Sequence, residues 1–249
     1  MLFTHIAALL SFSLLVTAAP QPEKRQTAQV FTRCTQPNTV ALTFDDGPWD
    51  YIYDISNTLT SNGAKGTFFF NGNNWGCIYD QSHMDQVRFA YNQGHQVASH
   101  TWRHADLSTL TWDQVHDEMW RVEQALQRIV GVTPAFMRPP YGNYNQNVRD
   151  AAGVRGQSLV IWDFDSGDSV GHPVNQILSD YTNLINSHPS TILALNHETY
   201  ESTAHQVLPQ VVQQLKQAGY RMVTVAECLG MNPYQNVGQP GTPTGDWHC

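Results

Sequence analysis

The stretch TVALTFDDGP, residues 39–48, joins a strand pattern to a pair of carboxylates and a turn. Its first part, Thr39 to Phe44, is apolar and β-branched, as a buried strand requires. Asp45 and Asp46 follow, at the point where a Gly-Pro pair breaks the strand. Adjacent side chains on a regular strand point to opposite faces, but at a broken strand end both carboxylates can reach one point. Taken alone, Asp-Gly-Pro more often marks a simple polar turn.

Six further β-rich runs alternate with helical patterns along the chain. The runs are Gly66 to Phe70, Gln96 to Ser99, Ala135 to Arg138, Ser158 to Trp162, Thr191 to Asn196 and Arg221 to Val225. The helical patterns are Asp54 to Ser61, Ser82 to Asn92, Thr111 to Val130, Asn145 to Ala152, Val174 to Asn186 and His205 to Ala218. Strands that alternate with helices run parallel, so we predict an α/β fold. The candidates are a distorted (β/α) barrel of about seven parallel strands and an open doubly wound sheet.

Charged side chains are scarce, and their balance is acidic. The 249 residues include 13 Lys and Arg against 21 Asp and Glu, which gives a net charge of −8. Without a basic run the chain cannot neutralise a phosphate backbone, so nucleic acid and anionic membrane surfaces are excluded as partners. A hydrophobic content of 41% also excludes wholesale disorder. Amides outnumber charges, which suits a neutral, hydroxyl-rich ligand.

The two ends of the chain differ in composition from its middle. Residues 1–19 contain a short apolar run followed by small residues, which predicts a secretory signal peptide rather than a membrane span. Residues 20–25 form a short expected propeptide that ends in Lys-Arg. One domain is expected over residues 26–230. The Gly-, Pro- and Thr-rich tail, residues 231–249, has the composition of a loop or linker.

Four cysteines are an even number in a chain that we expect to be secreted. Disulfides are therefore the default interpretation, with three possible connectivities. The first, Cys34, precedes the first strand, and Cys228 lies near the last one, so a bond between them would tie the two ends of the domain together. We predict that pair, which leaves Cys77 with Cys249 by elimination.

Residues with chemical potential follow several predicted strands, which is where a barrel gathers its functional groups. His100 and His104 are spaced i, i+4, and on a helical turn two such imidazoles can reach one divalent ion. Two histidines and one carboxylate make the open three-ligand arrangement of a catalytic metal site. Arg138 can hold a carboxylate in a fork geometry. Taken singly, however, Arg138 is more typical of a surface ion pair, and His197 of a core histidine.

Together these motifs resemble carbohydrate esterase family 4, the polysaccharide deacetylases, and within it the chitin deacetylases of fungi. The matching segments are TFDDGP at Thr43 to Pro48, H-S/T-x-x-H at His100 to His104, R-x-P-Y at Arg138 to Tyr141 and L-x-H at Leu195 to His197. The family motif D-x-x-D-W is matched at Asp165 and Asp168 but has Ser169 in place of the aromatic residue. The resemblance covers residues 34–229 and implies the deacetylase (NodB homology) fold.

The resemblance also implies a metal centre and a general base. Asp46, His100 and His104 would hold a divalent metal, usually zinc, with cobalt or another divalent ion as the alternative. Asp45 would accept a proton from the attacking water as general base. Arg138 would orient Asp45 and lower the pKa of its carboxyl group.

The remaining matched residues would complete the reaction. The backbone N–H of Tyr141 would hold the oxyanion. His197 would act as general acid, and Asp168 would favour its charged form. Asp163 and Asp165 compete with Asp168 for that supporting role.

Four tryptophans are candidates for stacking on sugar rings, although burial in the core is the competing interpretation for each. They are Trp49, Trp75, Trp102 and Trp112. Trp75 and Trp102 belong to segments that flank the motif loops, so we predict that they bind substrate together with Tyr141.

The predicted function is that of a secreted, metal-dependent chitin deacetylase that acts as a monomer. It would release acetate from N-acetylglucosamine units of chitin or chito-oligosaccharides. An acetylxylan esterase of the same family is the alternative within this class. A non-catalytic chitin-binding protein is an alternative outside it, which the presence of the base and of every expected metal ligand disfavours. A sugar phosphatase is disfavoured because few basic residues could hold a phosphate.

Overall fold

The computed structural model describes residues 27–249, so the predicted signal peptide and propeptide lie outside the described residues. The strands are β1 (Val30–Phe31), β2 (Thr39–Asp45), β3 (Gly66–Phe70), β4 (Gln96–Ser99), β5 (Val132–Pro134), β6 (Phe136–Met137), β7 (Ser158–Val160), β8 (Phe164–Asp165), β9 (Thr191–His197), β10 (Arg221–Met222) and β11 (Tyr234–Val237). The helices are α1 (Ile52–Ser61), α2 (Gln81–Asn92), α3 (Trp112–Val130), α4 (Gln146–Val154), α5 (Val174–Ser187), α6 (Leu208–Gln217) and α7 (Val225–Leu229).

Nine of these strands form one curled parallel sheet, which confirms the predicted distorted barrel. Their order is β1-β7-β6-β4-β3-β2-β9-β8, with β10 beside the start of β2. β3 pairs with β2 only from Leu42 onward, and β10 occupies the same edge beside Thr39 and Val40. Each pairing in this sheet is parallel, as the alternation of strands and helices predicts.

The predicted fifth strand, Ser158 to Trp162, ends early, at Val160, as β7, and a separate short strand, β8, begins at Phe164. β7 pairs with β1 and β6, whereas β8 pairs with β9 on the other side of the opening. Between them, Asp163 bonds to the backbone of Leu193 twice: its N–H donates to the carbonyl oxygen at 3.1 Å, and its carboxylate accepts from the N–H at 2.6 Å. The chain therefore crosses the gap instead of continuing as one strand.

Successive side chains of a strand point to opposite faces of the sheet, so the sheet separates two hydrophobic cores. Inward side chains fill the barrel together with α7; they include Ala41, Phe69, Ala98, Phe136, Val160 and Leu193. Outward side chains such as Leu42 and Phe44 pack beneath α1, α2, α3, α5 and α6. On β2 the inward row continues through Thr43 to Asp45. Because every second side chain of β2 points inward, the carboxylate of Asp45 lies inside the barrel, at the C-terminal end of the strands.

Helix capping decides where two elements begin. Thr111 and Gln114 form the capping box that opens α3, as the T-x-x-Q pattern predicts. A second capping box, formed by Thr224 and Glu227, opens α7. The strand predicted over Arg221 to Val225 is therefore too long, because the chain leaves β10 at Met222 and enters this helix.

Two disulfides tie the ends of the chain to the domain, and they join Cys34 to Cys228, as predicted, and Cys77 to Cys249. The tail, residues 231–249, is largely irregular but contains one strand and is packed on the domain. β11 pairs antiparallel with β5, and Trp247 packs on Tyr79 with ring centroids 5.6 Å apart. Gly and Pro indicate turns but do not reveal where the aromatic side chains between them pack. Among the described residues, no helix is long and apolar enough to cross a membrane.

Candidate active site

The C-terminal ends of the barrel strands surround a cleft of about 470 Å³. Its lining includes predicted site residues from four of the five motifs: Asp45, Asp46, His100, His104, Tyr141 and His197. Further walls come from Pro139, Trp162, Asp165, Ser169, Val170 and Leu195. Segments that lie far apart in the sequence thus meet at one end of the sheet, as a parallel barrel requires.

The two adjacent carboxylates reach one point because the backbone reverses between them. Asp46 has a φ of 74°, a conformation that costs a residue with a side chain about 1–3 kcal/mol. As a result, Nε2 of His100 lies 3.6 Å from a carboxylate oxygen of Asp45 and 3.6 Å from one of Asp46. Gly47 is required next, because a Cβ there would lie 1.9 Å from an oxygen of Glu198.

Asp46, His100 and His104 bring their ligand atoms within 4.8 Å of one another. His104 Nε2 lies 3.3 Å from Asp46 Oδ1, and this oxygen is buried without a hydrogen-bond partner. His100 donates from Nδ1 to the Arg138 carbonyl at 2.8 Å, which leaves its Nε2 lone pair directed at the cluster. Burial lowers the pKa of His100 to about 3, so the ring is neutral, as a ligand must be. Two imidazole nitrogens and one carboxylate oxygen fit a zinc ion.

The loop that carries the two histidines is not the predicted helical turn. Thr101 and His104 have φ values of 72° and 55°, and no helix is assigned between His100 and His104. The side-chain amide of Asn71 fixes this irregular backbone by donating to the carbonyls of His100 and Thr101. The two imidazoles still meet, with ring centroids 4.9 Å apart. The i, i+4 spacing thus predicts correctly that the two rings meet, but the backbone that brings them together is an irregular loop and not a helical turn.

Asp45 is held by Arg138, a residue with no exposed surface. The guanidinium donates to Asp45 at 2.9 Å and to the Thr43 hydroxyl at 2.6 Å. It also donates to the carbonyls of Val160 at 3.2 Å and Ile161 at 2.9 Å, which fixes its plane. Burial raises the pKa of Asp45, and the opposing charges of Arg138 and His197 only partly offset this. Arg138 thus biases this pKa downward, as the resemblance implies, although the loss of water on burial outweighs the ion pair.

His197 is paired with Asp168, the partner that the sequence analysis favours. The two side chains meet at 2.8 Å, and the other oxygen of Asp168 accepts from the His197 N–H and from the Thr203 hydroxyl, each at 2.8 Å. Burial alone lowers the pKa of His197, but the hydrogen bond and charge of Asp168 and the nearby carboxylates raise it to about 9.

The two competitors for this supporting role are engaged elsewhere. Asp163 binds the backbone N–H of Leu193, and Asp165 accepts from the N–H of Gly167 at 2.9 Å.

The three predicted substrate-binding residues have different surroundings. Tyr141 has a φ of 60° and a side chain that is 66% exposed, edge-on to His104 at a centroid distance of 4.8 Å. Trp75 is 53% exposed and lies beside Trp49. Trp102 is only 2% exposed, so the prediction that it stacks on a sugar is wrong: it belongs to the core.

Sequence reasoning missed a buried acid in this region. Glu198 has no exposed surface; it accepts from the Trp49 N–H at 2.7 Å, and its own N–H donates to the Asp45 carbonyl at 3.2 Å. Burial raises its pKa well above the usual range. It supports the Asp45-Asp46 turn from below. Because Glu198 directly follows the predicted site residue His197, its position in the sequence could have identified it as part of this region.

Trp162, a wall of the cleft, was missed as well. It ends the predicted fifth strand, and its ring lies 5.6 Å from the guanidinium carbon of Arg138. Trp162 lies two residues after the inward-facing Val160, so the alternation of side chains along the predicted strand would have placed Trp162 facing the site.

Comparisons with known proteins agree with this arrangement. A family model, "Polysaccharide deacetylase", matches residues 32–160. A chitin deacetylase of Pestalotiopsis sp. is 39% identical over 234 residues, covering 92% of this chain and 77% of the relative. A peptidoglycan-N-acetylglucosamine deacetylase of Bacillus cereus is 32% identical over 190 residues, covering 75% of this chain and 66% of the relative.

A solved structure gives the same result. The chitin deacetylase from the fungal pathogen Colletotrichum lindemuthianum aligns with a TM-score of 0.78 at 32% identity, covering 88% of this chain and 99% of that one. The resemblance drawn from the motifs is thereby confirmed over most of the chain, including the curled parallel sheet that gathers them. This chain belongs to the polysaccharide deacetylase family.

Proposed function

We propose that the protein is a secreted, metal-dependent chitin deacetylase that hydrolyses the N-acetyl groups of N-acetylglucosamine units to give acetate and glucosamine units. The carrying observation is that one cleft holds a three-ligand cluster, a buried carboxylate and a histidine that is charged at neutral pH. Amide hydrolysis needs an activated water, stabilisation of an oxyanion and protonation of a poor leaving group. These residues can meet all three needs.

The metal would be held by Asp46, His100 and His104. When bound, a divalent ion supplies Lewis acidity, which lowers the pKa of water and polarises a carbonyl group. The unpartnered oxygen of Asp46 and the free Nε2 of His100 support this assignment. We propose zinc because the donors are two imidazoles and one carboxylate.

Asp45 is the proposed general base. Arg138 and Thr43 hold its position through a hydrogen-bonded chain, so the carboxylate needs little rearrangement before it accepts a proton. Its raised pKa brings it closer to the pH at which a base is most effective, while the paired guanidinium still supports the charged form.

His197 is the proposed general acid, and Asp168 keeps it charged. With a pKa of about 9, the imidazolium holds its proton at neutral pH and can deliver it to the departing amine nitrogen. Tyr141 would contribute its backbone N–H to the developing oxyanion, a role that its position beside His104 supports.

Chitin is the proposed substrate for two reasons. Two relatives that the chain matches along most of their length, those of Pestalotiopsis and Colletotrichum lindemuthianum, are named chitin deacetylases. In addition, a charged acid beside the site suits an amide, because an amine leaves only when protonated, whereas the alcohol of an acetyl ester leaves more readily. Exposed Trp75, beside Trp49, is a proposed stacking surface for the polymer.

Secretion is part of the proposal. Two disulfides that join distant parts of the chain suit an oxidising compartment. The predicted signal peptide, residues 1–19, supports the same conclusion.

The test is mass spectrometry of purified protein with N-acetylglucosamine oligomers and, in parallel, with acetylated xylo-oligomers. We expect chito-oligomers to lose one or more acetyl groups, with no loss for the Asp45→Asn variant or after chelation of metal. Loss of acetyl from xylo-oligomers alone would replace the proposal with an acetylxylan esterase. Binding to chitin without any mass change would indicate a non-catalytic role.

A further inference from the structure

Trp102 lies between the two histidine ligands in the sequence, yet its ring is directed away from the cleft. It packs on the backbone at Gly72 so closely that a Cβ there would lie 1.8 Å from the indole ring. The guanidinium carbon of Arg121 lies 3.9 Å from the ring centroid, a cation–π contact. The indole is thus enclosed between a backbone segment and a cation, and the loop that carries His100 and His104 is anchored at its centre.

The backbone beside this ring is fixed as well. The N–H of Gly72 donates to the carbonyls of Thr101 and Trp102, and the N–H of Asn73 donates to the carbonyl of Trp102 at 2.6 Å. Two residues of the histidine loop hold a positive φ, Thr101 and His104, which is unfavourable without such support. The indole and these hydrogen bonds together hold a strained loop in one conformation.

The support continues outward to the C-terminal tail. The ring centroid of Tyr79 lies 6.2 Å from that of Trp102, and that of Trp247 lies 5.6 Å from that of Tyr79. Arg128 donates to the Tyr79 hydroxyl and pairs with Asp246 of the tail. An aromatic column therefore runs from the tail to the histidine loop.

A covalent bond closes this column. Cys249 is joined to Cys77, five residues beyond Gly72, so the tail is bound to the same segment that receives the indole. The other disulfide, between Cys34 and Cys228, lies in the barrel interior with α7. One disulfide therefore supports the histidine loop, and the other supports the domain core.

We propose that Trp102 is a positioning residue for the two histidine ligands and that the C-terminal tail, closed by Cys77–Cys249, is the outer support that sets metal affinity. This inference rests on the metal site of the proposed function. Residues that orient metal ligands without touching the ion commonly change metal affinity by about 10- to 100-fold when replaced. The indole column acts in this way through the backbone of the loop.

The first experiment compares the two disulfides as matched variants. Cys77→Ser/Cys249→Ser and Cys34→Ser/Cys228→Ser remove bonds of similar sequence separation, 172 and 194 residues, so their effects on the unfolded chain are about equal. Zinc affinity of metal-free protein is measured by competition with a chromophoric chelator, together with the thermal midpoint. We expect about a tenfold or greater loss of affinity for the tail pair only, with both variants less stable.

The second experiment replaces the column itself. Trp102→Leu should weaken zinc binding by about 10- to 100-fold, and Trp247→Ala should weaken it less. Trp120→Ala is the matched control, because Trp120 is 45% exposed on α3, and its zinc affinity should equal that of the unchanged protein. Unchanged affinity in folded Trp102→Leu would overturn the inference. Should that variant not fold, unchanged affinity in Trp247→Ala and in the tail-disulfide variant would overturn it.

These measurements use no substrate, so they are independent of the proposed deacetylation. Zinc binding by the unchanged protein with no acetyl release would count against the proposed function alone. Absence of zinc binding by the unchanged protein would overturn both.

Discussion

The two halves of the barrel interior are built from the same strands but have opposite chemistry. The half that contains α7 is apolar, with Ala41, Phe69 and Leu193 packed around the Cys34–Cys228 bond. The half at the C-terminal ends of the strands carries Asp45, Arg138 and His197, all of them buried. The same alternating positions of each strand point inward in both halves. Inward side chains a few residues apart on one strand therefore belong first to the core and then to the active site.

This difference teaches that stability and chemistry occupy separate layers. Burying charge costs several kcal/mol per ion unless each group is paired and hydrogen-bonded. Accordingly, Arg138 donates to four acceptors and Asp168 accepts from three donors. The apolar layer contributes the stability that makes this arrangement tolerable. Substitutions in the two layers should therefore have different consequences.

Asp45→Asn should have the largest effect on activity. Loss of the base should reduce kcat by about 10²- to 10⁴-fold, the usual contribution of general base catalysis. The free energy of unfolding should fall as well, by about 3–5 kcal/mol, because the buried guanidinium of Arg138 loses its paired carboxylate. Acetate release and urea unfolding measure the two quantities. A kcat within tenfold of that of the unchanged protein would exclude Asp45 as the general base.

Leu193→Ala, in the apolar layer, should lower stability without lowering activity. Leu193 has no exposed surface, and truncation of such a residue costs about 2–5 kcal/mol of unfolding free energy. The kcat per folded molecule should stay within about twofold, since no site residue loses a hydrogen bond. Urea unfolding and active-site titration separate the two effects. A kcat that falls with stability would contradict the division into layers.

Asp168→Asn should alter the pH dependence more than the maximal rate. The raised pKa of His197, about 9, means that activity requiring its charged form persists below that pH and is lost above it. Without the Asp168 charge, burial lowers the pKa, so the alkaline limb of kcat/KM should move down by at least about one pH unit.

The stability of the protein offers a second measure of the same pair. The stabilisation from charged His197 should be full below its ordinary pKa of 6.5 and decline as pH rises towards 9, in the unchanged protein only. Thermal midpoints between pH 6 and 10 measure it, with His205→Gln, a substitution of an exposed histidine, as control. If stability and rate depended on pH in Asp168→Asn as they do in the unchanged protein, Asp168 would not be the residue that keeps His197 charged.

Tyr141→Phe should have the smallest effect. The proposed donor is the backbone N–H, and the hydroxyl lies on a side chain that is 66% exposed. We expect kcat/KM for chito-oligomers to change by less than about threefold, the weight of an exposed hydrogen bond. A drop of 10²-fold would assign the role to the hydroxyl group.

Much of the fold and of the metal cluster was predictable because each depends on local patterns. The β-rich runs and helical patterns gave the parallel sheet, since strand length and periodicity are local properties. The assignment of Asp46, His100 and His104 to the metal came from the family resemblance, and the rule that strand ends meet at one edge predicted that their segments lie together.

Features set by tertiary packing were not predictable. The burial of Trp102 depends on Gly72 and on Arg121, which approach from other segments. The direction of the Asp45 pKa shift depends on how completely water is excluded, and composition says nothing of this. The packed tail depends on Trp247 reaching Tyr79, a contact between residues far apart in the chain.

Metal dependence of acetate release is the most direct test of the central claim. The protein is freed of metal with a chelator, dialysed and titrated with zinc while acetate is measured from an N-acetylglucosamine oligomer. The account predicts that release begins only with zinc and saturates at one ion per chain. His100→Ala should bind zinc weakly and release little acetate, whereas Asp45→Asn should bind zinc but release little acetate. Full release by metal-free protein or by His100→Ala would contradict the account.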